Sequence, residues 1–285
     1  GTLDLSALAA NASAQGLGLT GNAAVALIVI AAALKTASFP LHGWLTEVME
    51  APTPVSALLH AGIINSGGVL LIANASLVQQ SPGAMAVLVV IGGLTALFGA
   101  SVMLTQSAVK TSLAWSTVSQ MGFMILQCGL GLWTLALLHI VAHSLYKAHA
   151  FLSSGGAIED VAKVRRPGPV APASVRKVFN SFALAIALYA GIAALFTFGF
   201  GPKTPQAFAL GAILVFGVAY MVAQGLADLA PRKLTRRLVA SSAMAAIAYF
   251  SFQVAAQAIW GPILPAAPTP GPLEWALIVI AVISF

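Results

Sequence analysis

His139, His143 and Lys147 stand four residues apart in a run that is otherwise nearly all apolar, GLWTLALLHIVAHSLYKAHAFLSSGG (131–156). On an α-helix a four-residue step turns by about 40°, so the three side chains form one polar stripe. The run is long enough to cross a bilayer, which takes about 20 residues, and the stripe falls near its middle. An ionisable group at that depth costs about 2.5–3.5 kcal/mol or more unless it is paired or hydrated. Imidazole exchanges protons near neutral pH, so the chemistry that suits this stripe is a proton relay through a membrane. A zinc site also uses histidines at this spacing, but no glutamate adjoins His139 and a lysine holds the next turn. Two histidines on one helix face do not clamp a haem from both sides. His149 lies two residues beyond Lys147, about 200° around the helix and off the stripe.

Other ionisable residues are candidates for the same chemistry. Lys35 is the one charge in AVALIVIAAALKTASFP (24–40). Two readings are open: an ammonium snorkelling to the interface near Pro40, or a buried lysine that takes up and releases a proton. His60 follows Pro54 by six residues, a turn or two inside the next apolar run. There it is either a relay group facing Lys35 through a water or a hydrogen-bonded packing residue. Glu47 and Glu50 lie beside His42 in the connector LHGWLTEVMEAP. They read as a solvated face, or as acids that gather protons and pair with Lys35 or Lys110. Lys110, at the mouth of a later helix, is a relay candidate with snorkelling as its competitor.

The elements that hold these groups follow from composition. Hydrophobic residues make up 59% of the 285 and charged residues only 7%, against about 25% charged in a soluble domain. The chain is therefore expected to be all-α, a polytopic transmembrane helix bundle. Apolar spans read at about 21–39, 54–78, 83–105, 109–130, 131–156, 178–200, 204–227 and 237–260. Gly67-Gly68, Gly92-Gly93 and Gly99 mark places for close packing or local unwinding. The net charge of +6 reflects loop lysines and arginines rather than a nucleic-acid surface. Connections after the odd-numbered spans hold Lys110, then Lys163, Arg165, Arg166, Arg176 and Lys177, then Arg232, Lys233, Arg236 and Arg237. The opposite connections hold Lys203 alone, so the basic side is expected to be cytoplasmic.

This reading divides the chain into an extracytoplasmic segment (1–20), a first helix group (21–156), a cytoplasmic loop (157–177) and a second helix group (178–285). The opening residue is not methionine, and the last apolar run, PLEWALIVIAVISF, is too short to span. Both ends are thus expected to be internal to a longer protein. The single cysteine, Cys128, leaves no internal disulfide and no cysteine metal cluster.

Three stretches resemble a known family: LHGWLTEVMEAPTPVSALLHAGIINSGGVLLI (41–72), VKTSLAWSTVSQMGFMILQCGLG (109–131) and ALLHIVAHSLYKAHAFLSSG (136–155). They are similar to the antiporter-like membrane subunits of respiratory complex I and of multisubunit cation/proton antiporters. The resemblance covers about residues 22–156. It implies an antiporter-like fold with broken helices and a lateral proton path. Lys35 falls on the family's central lysine, His60 on the histidine after the PTPVSAL motif, and Lys110 before the A-W-S-T motif. His139, His143 and Lys147 match the H-x3-H-x3-K helix. The family's acidic partner of the central lysine would precede residue 1. Span 178–200 also departs from the complex I pattern, having no acid, lysine or histidine between Val178 and Phe200. HAGIINSGG and LYKAHAFLSSGG, in place of HAATMVTAG-like and FKALLFLASG-like runs, are closest to the membrane subunit of DAB-type dissolved inorganic carbon transporters.

That resemblance implies a bacterial inner-membrane subunit that conducts protons or other cations to power inorganic carbon uptake. It implies a large soluble, carbonic-anhydrase-like partner on the cytoplasmic side, with zinc in that partner and no cofactor in this chain. No redox or hydrolytic centre is evident in the sequence, so the chain reads as a transporter subunit rather than an enzyme. The alternatives are a proton-pumping subunit of an NADH-quinone oxidoreductase, a subunit of a sodium/proton antiporter, and a membrane anchor whose polar stripe is vestigial or structural.

Overall fold

A computed structural model describes residues 4–48, 50–156, 175–201, 203–211, 232–272, 275–276 and 278–280. All of its regular elements among these residues are helical. The expected loop 157–177 lies outside them except for its last three residues, and span 204–227 is described only to residue 211.

Two compact units result. The first comprises residues 1–163 and 259–277, the second 164–258 and 278–285. In the first unit the helices are α1 (Leu5–Gln15), α2 (Gly18–Lys35), α3 (Gly43–Glu47), α4 (Thr53–Ala61), α5 (Ser66–Ala73), α6 (Ala75–Val78), α7 (Pro82–Met103), α8 (Val109–Gly129) and α9 (Trp133–Ser153). α1 falls inside the segment read from sequence as small, polar and extracytoplasmic. Alanines and leucines make a good helix former of it, although 11 residues are too few to span.

Two of the helices are broken. α2 ends at Lys35, where the Thr36 hydroxyl donates to the Ala32 carbonyl at 2.8 Å and Ala37 takes a left-handed φ of 49°. The Phe39 N–H then donates to Thr95 Oγ1 on α7 at 3.0 Å, and the indole N–H of Trp44 donates to the freed Leu34 carbonyl, also at 3.0 Å. Side chains thus take over backbone partners that the interrupted helix gives up. The run 53–73 breaks at Gly62, where a 3₁₀ turn, Ile63–Asn65, separates α4 from α5. Gly67 and Gly68, by contrast, serve close packing: a Cβ on Gly67 would strike the Ala32 carbonyl, and one on Gly68 would strike Met124.

α7 and α8 meet along a glycine seam. A Cβ on Gly92 would run into the backbone of Leu126 and Gly122, and one on Gly99 would come 2.6 Å from the Ser119 nitrogen. Gly122 and Gly129 return the contact against the backbone of Ala96 and Val89. Small residues at this spacing let two backbones touch, the usual device for helix pairs in lipid. Around the seam Val25, Val29, Ile64, Leu71, Leu88, Met121, Ile125 and Trp133 form the buried core.

In the second unit α10 (Val175–Phe200) and α11 (Arg232–Trp260) carry a smaller core of Ile192, Ala193, Ala246 and Phe250. Among the described residues six segments are long and apolar enough to cross a membrane: 18–35, 53–73, 82–104, 133–153, 182–200 and 239–260. α8 is 21 residues long but is not among them, because Lys110, Thr111, Ser112, Ser116, Thr117, Ser119 and Gln120 dilute its apolar character. It is enclosed by neighbours instead, with most of its second half buried. The all-α, multi-pass architecture read from the sequence is the one observed.

Candidate functional site

α9 presents its stripe to α8. Lys147 is 0% exposed and His143 4%, although both sit on a helix whose other faces carry exposed Val141, Leu145 and Tyr146. The Lys147 ammonium donates to the Leu113 carbonyl at 3.0 Å and, more closely, to Ser116 Oγ. His60, 1% exposed on the last turn of α4, reaches the same turn of α8 from the other side. Its Nδ1 lies 3.2 Å from Thr117 Oγ1, and its ring stacks on Phe151 with centroids 4.3 Å apart. The Leu113 carbonyl is the meeting point, accepting from Ser116 Oγ at 2.9 Å and Thr117 Oγ1 at 3.0 Å as well as from Lys147.

The stripe continues away from this point. His143 has its ring centroid 6.1 Å from that of His139, and His60, His139 and Lys147 all lie within electrostatic reach of it. Neither ring nitrogen of His143 has a hydrogen-bond partner, although both are buried. His139 Nδ1 lies 3.1 Å from Oε1 of Gln127, near the far end of α8. The result is a line of four titratable groups, His60–Lys147–His143–His139, drawn from two helices and lined by a third. A line of imidazoles and an amine in a water-poor interior can pass protons between neighbours. Unpartnered nitrogens at its centre leave it free to form and break N–H bonds.

The remaining predicted residues lie elsewhere. Lys35 is exposed on the last turn of α2, beside the break, and is not part of the enclosed line. Two readings were open for it, a snorkelling ammonium and a buried lysine, and its side chain is exposed here. Apolar neighbours along the sequence mark a helix as lipid-compatible, but only packing from other helices buries one of its side chains. Lys110 is half-buried and its Nζ donates to the Ala51 carbonyl at 3.1 Å, tying the first turn of α8 to the connector. Glu47 and Glu50 are exposed on that connector, and His149 is exposed on α9. Among the described residues no group of three or more His, Cys, Asp or Glu side chains is placed to hold a metal ion.

The sequence reading missed the partners on α8. Ser116 and Thr117 were in view as part of the A-W-S-T stretch without an assigned role. Gln127 had one available signal, an amide inside the apolar segment FMILQCGLG.

The description NADH:quinone oxidoreductase/Mrp antiporter, transmembrane, fits residues 1–167. A probable inorganic carbon transporter subunit (DabB2) of Halothiobacillus neapolitanus is 41% identical over all of this chain and 52% of its own length. A probable inorganic carbon transporter subunit (DabB) of Hydrogenovibrio crunogenus is 50% identical over 64% of this chain and 35% of its own length. Chain 5 of the NAD(P)H-quinone oxidoreductase of a Picosynechococcus species is 42% identical over 48% of this chain and 21% of its own. The chain therefore spans about half the length of the first of these relatives and less of the others. Among solved structures, the Mrp complex of a Dietzia species matches 91% of this chain and 33% of its own with a TM-score of 0.51 and 25% identity. With more than half of its length inside that description, the chain belongs to the NADH:quinone oxidoreductase/Mrp antiporter transmembrane family.

Proposed function

We propose that this chain is the proton- or cation-conducting membrane subunit of an inorganic carbon (CO2 or bicarbonate) transporter, in which ion flow powers a soluble partner. The observation that carries the proposal is the line His60–Lys147–His143–His139, three of whose four titratable members are buried. Ionisable groups kept in an apolar interior at this cost mark ion pathways and proton relays. The two probable inorganic carbon transporter subunits, matched over most or all of the chain, support the choice of cargo.

Within this reading His139, His143, Lys147 and His60 relay the proton. Lys35, beside the break in α2, is the switch between the line and a neighbouring surface. Lys110 sits at the basic, cytoplasmic mouth, where Glu47 and Glu50 collect protons. Zinc belongs to the partner, a carbonic-anhydrase-like subunit bound on that side of a bacterial inner membrane. A charge crossing 100 mV releases about 2.3 kcal/mol, enough to bias a conformational or hydration step in the partner.

Uptake of labelled inorganic carbon by cells expressing the full complex tests the reading. His143→Ala, Lys147→Ala and Lys35→Ala are each expected to stop it. Normal uptake in both His143→Ala and Lys147→Ala would end the proposal. A second reading, a proton-pumping subunit of a quinone-reducing enzyme, draws on the oxidoreductase relative that matches about half the chain. Purification of the intact complex separates the two. A zinc-containing soluble companion favours carbon transport, and flavin or iron–sulfur companions favour quinone reduction.

A further inference from the structure

The three histidines of the line are not held alike, and α8 makes the difference. Gln127 is 7% exposed and offers Oε1 to His139 Nδ1. An amide oxygen only accepts, so the hydrogen of this bond sits on His139 Nδ1. In the neutral ring Nε2 is then the accepting atom. Thr117 Oγ1 lies 3.0 Å from the Leu113 carbonyl and 3.2 Å from His60 Nδ1, and its single hydrogen serves one of the two. His143, between them, has both nitrogens buried without a partner and is bound to neither form.

We propose that Gln127 is a positioning residue that fixes His139 as the Nδ1–H tautomer, leaving its neighbour His143 free to exchange tautomers. The assignment rests on the reading of the line as a proton path. A pinned histidine gains a proton by forming an N–H bond at Nε2 and loses it by breaking the same bond, since Nδ1–H stays engaged. His143 forms an N–H bond at one nitrogen and breaks the N–H bond at the other. The proton therefore leaves on the opposite side of the ring, and no electron or further reactant is needed. Net passage along the line then uses Nε2 alone at a pinned ring and both nitrogens at His143.

Nitrogen-15 NMR of histidine-labelled full-length protein, in its complex and in lipid, reports which ring nitrogen carries the hydrogen. Wild-type His139 is expected in the Nδ1–H form. Gln127→Leu should shift its tautomer ratio towards Nε2–H by about two- to tenfold, the worth of one ordinary hydrogen bond. Gln127→Glu, which keeps an accepting oxygen, should retain Nδ1–H. If Gln127→Leu does not assemble, Gln127→Met removes the same acceptor from a side chain of similar length. Ion flow in the same preparations should fall with Gln127→Leu. His139 found as Nε2–H in the wild type overturns the assignment, as does an unchanged ratio in the Leu and Met variants. Unchanged flow in Gln127→Leu beside lost flow in His143→Ala also overturns it. If the ratio shifts as expected while His143→Ala conducts normally, the relay reading fails and the tautomer assignment stands.

Discussion

α9 and α10 are both long, apolar helices, yet they treat charge in opposite ways. α9 encloses a lysine and a histidine in its middle and keeps Leu145 and Tyr146 outside. α10 carries its cations, Arg176 and Lys177, in its first turn, with Arg176 exposed, and buries Ala185, Ile192 and Ala193 in its length. The difference lies in the neighbour rather than in the helix. α8 meets α9 with a carbonyl, a hydroxyl and an amide at the heights where the stripe needs them, and turns a second hydroxyl to His60 on α4. The core beside Ala193 is made of Ile192, Ala246 and Phe250, with the two tyrosines Tyr189 and Tyr249 packed against it and no ionised partner among them. A membrane interior thus tolerates an ionisable side chain where a second helix supplies partners, and the stripe on α9 is half of a two-helix device.

Exchanging those properties is the strongest way to break the comparison. Ala193→Lys should cost about 2.5–3.5 kcal/mol, read as lost membrane insertion and a lower unfolding temperature, because the side chains around it are mostly apolar. His143→Ala removes the centre of the line while leaving the α9 surface apolar. Ion-coupled uptake should fall about 100-fold, in the range by which positioned proton-transfer groups act, with the protein still folded. Gly122→Leu would force α7 and α8 apart and should destabilise the fold by about 1–3 kcal/mol, measured by thermal unfolding in detergent. Thr117→Val keeps the shape of α8 but withdraws the hydroxyl partner of His60. Uptake should drop by about two- to tenfold, and a wild-type rate would show that α8 is only a wall. His149→Ala, on the exposed side of α9, should change stability by less than about 0.5 kcal/mol and leave uptake alone.

The stripe was legible because its period matches the helix, and no packing detail is needed to see three side chains in one row. The break after Lys35 was legible only through the family resemblance, since its cause is local: the Thr36 hydroxyl on the Ala32 carbonyl and the left-handed Ala37. The exposure of Lys35 and the burial of Lys147 were beyond sequence, because both lie in apolar runs and only tertiary neighbours distinguish them. Ser116, Thr117 and Gln127 escaped for a related reason. Hydroxyls and amides occur on many helices, and their meaning depends on which face the partner helix occupies. α1 was overlooked because its small residues blur the contrast between apolar and polar faces that reveals longer helices.

The glycine seam between α7 and α8 has a bearing on how the protein answers to its lipid. Backbone touching backbone leaves no layer of adjustable side chains at Gly92, Gly99, Gly122 and Gly129. The pair should therefore tilt as one piece when the bilayer thickens or thins, carrying the Leu113 carbonyl, Thr117 and Gln127 together. Distances along the line would then survive changes in acyl-chain length that reorient looser helices. A cell that remodels its membrane with temperature would keep the same spacing between acceptors.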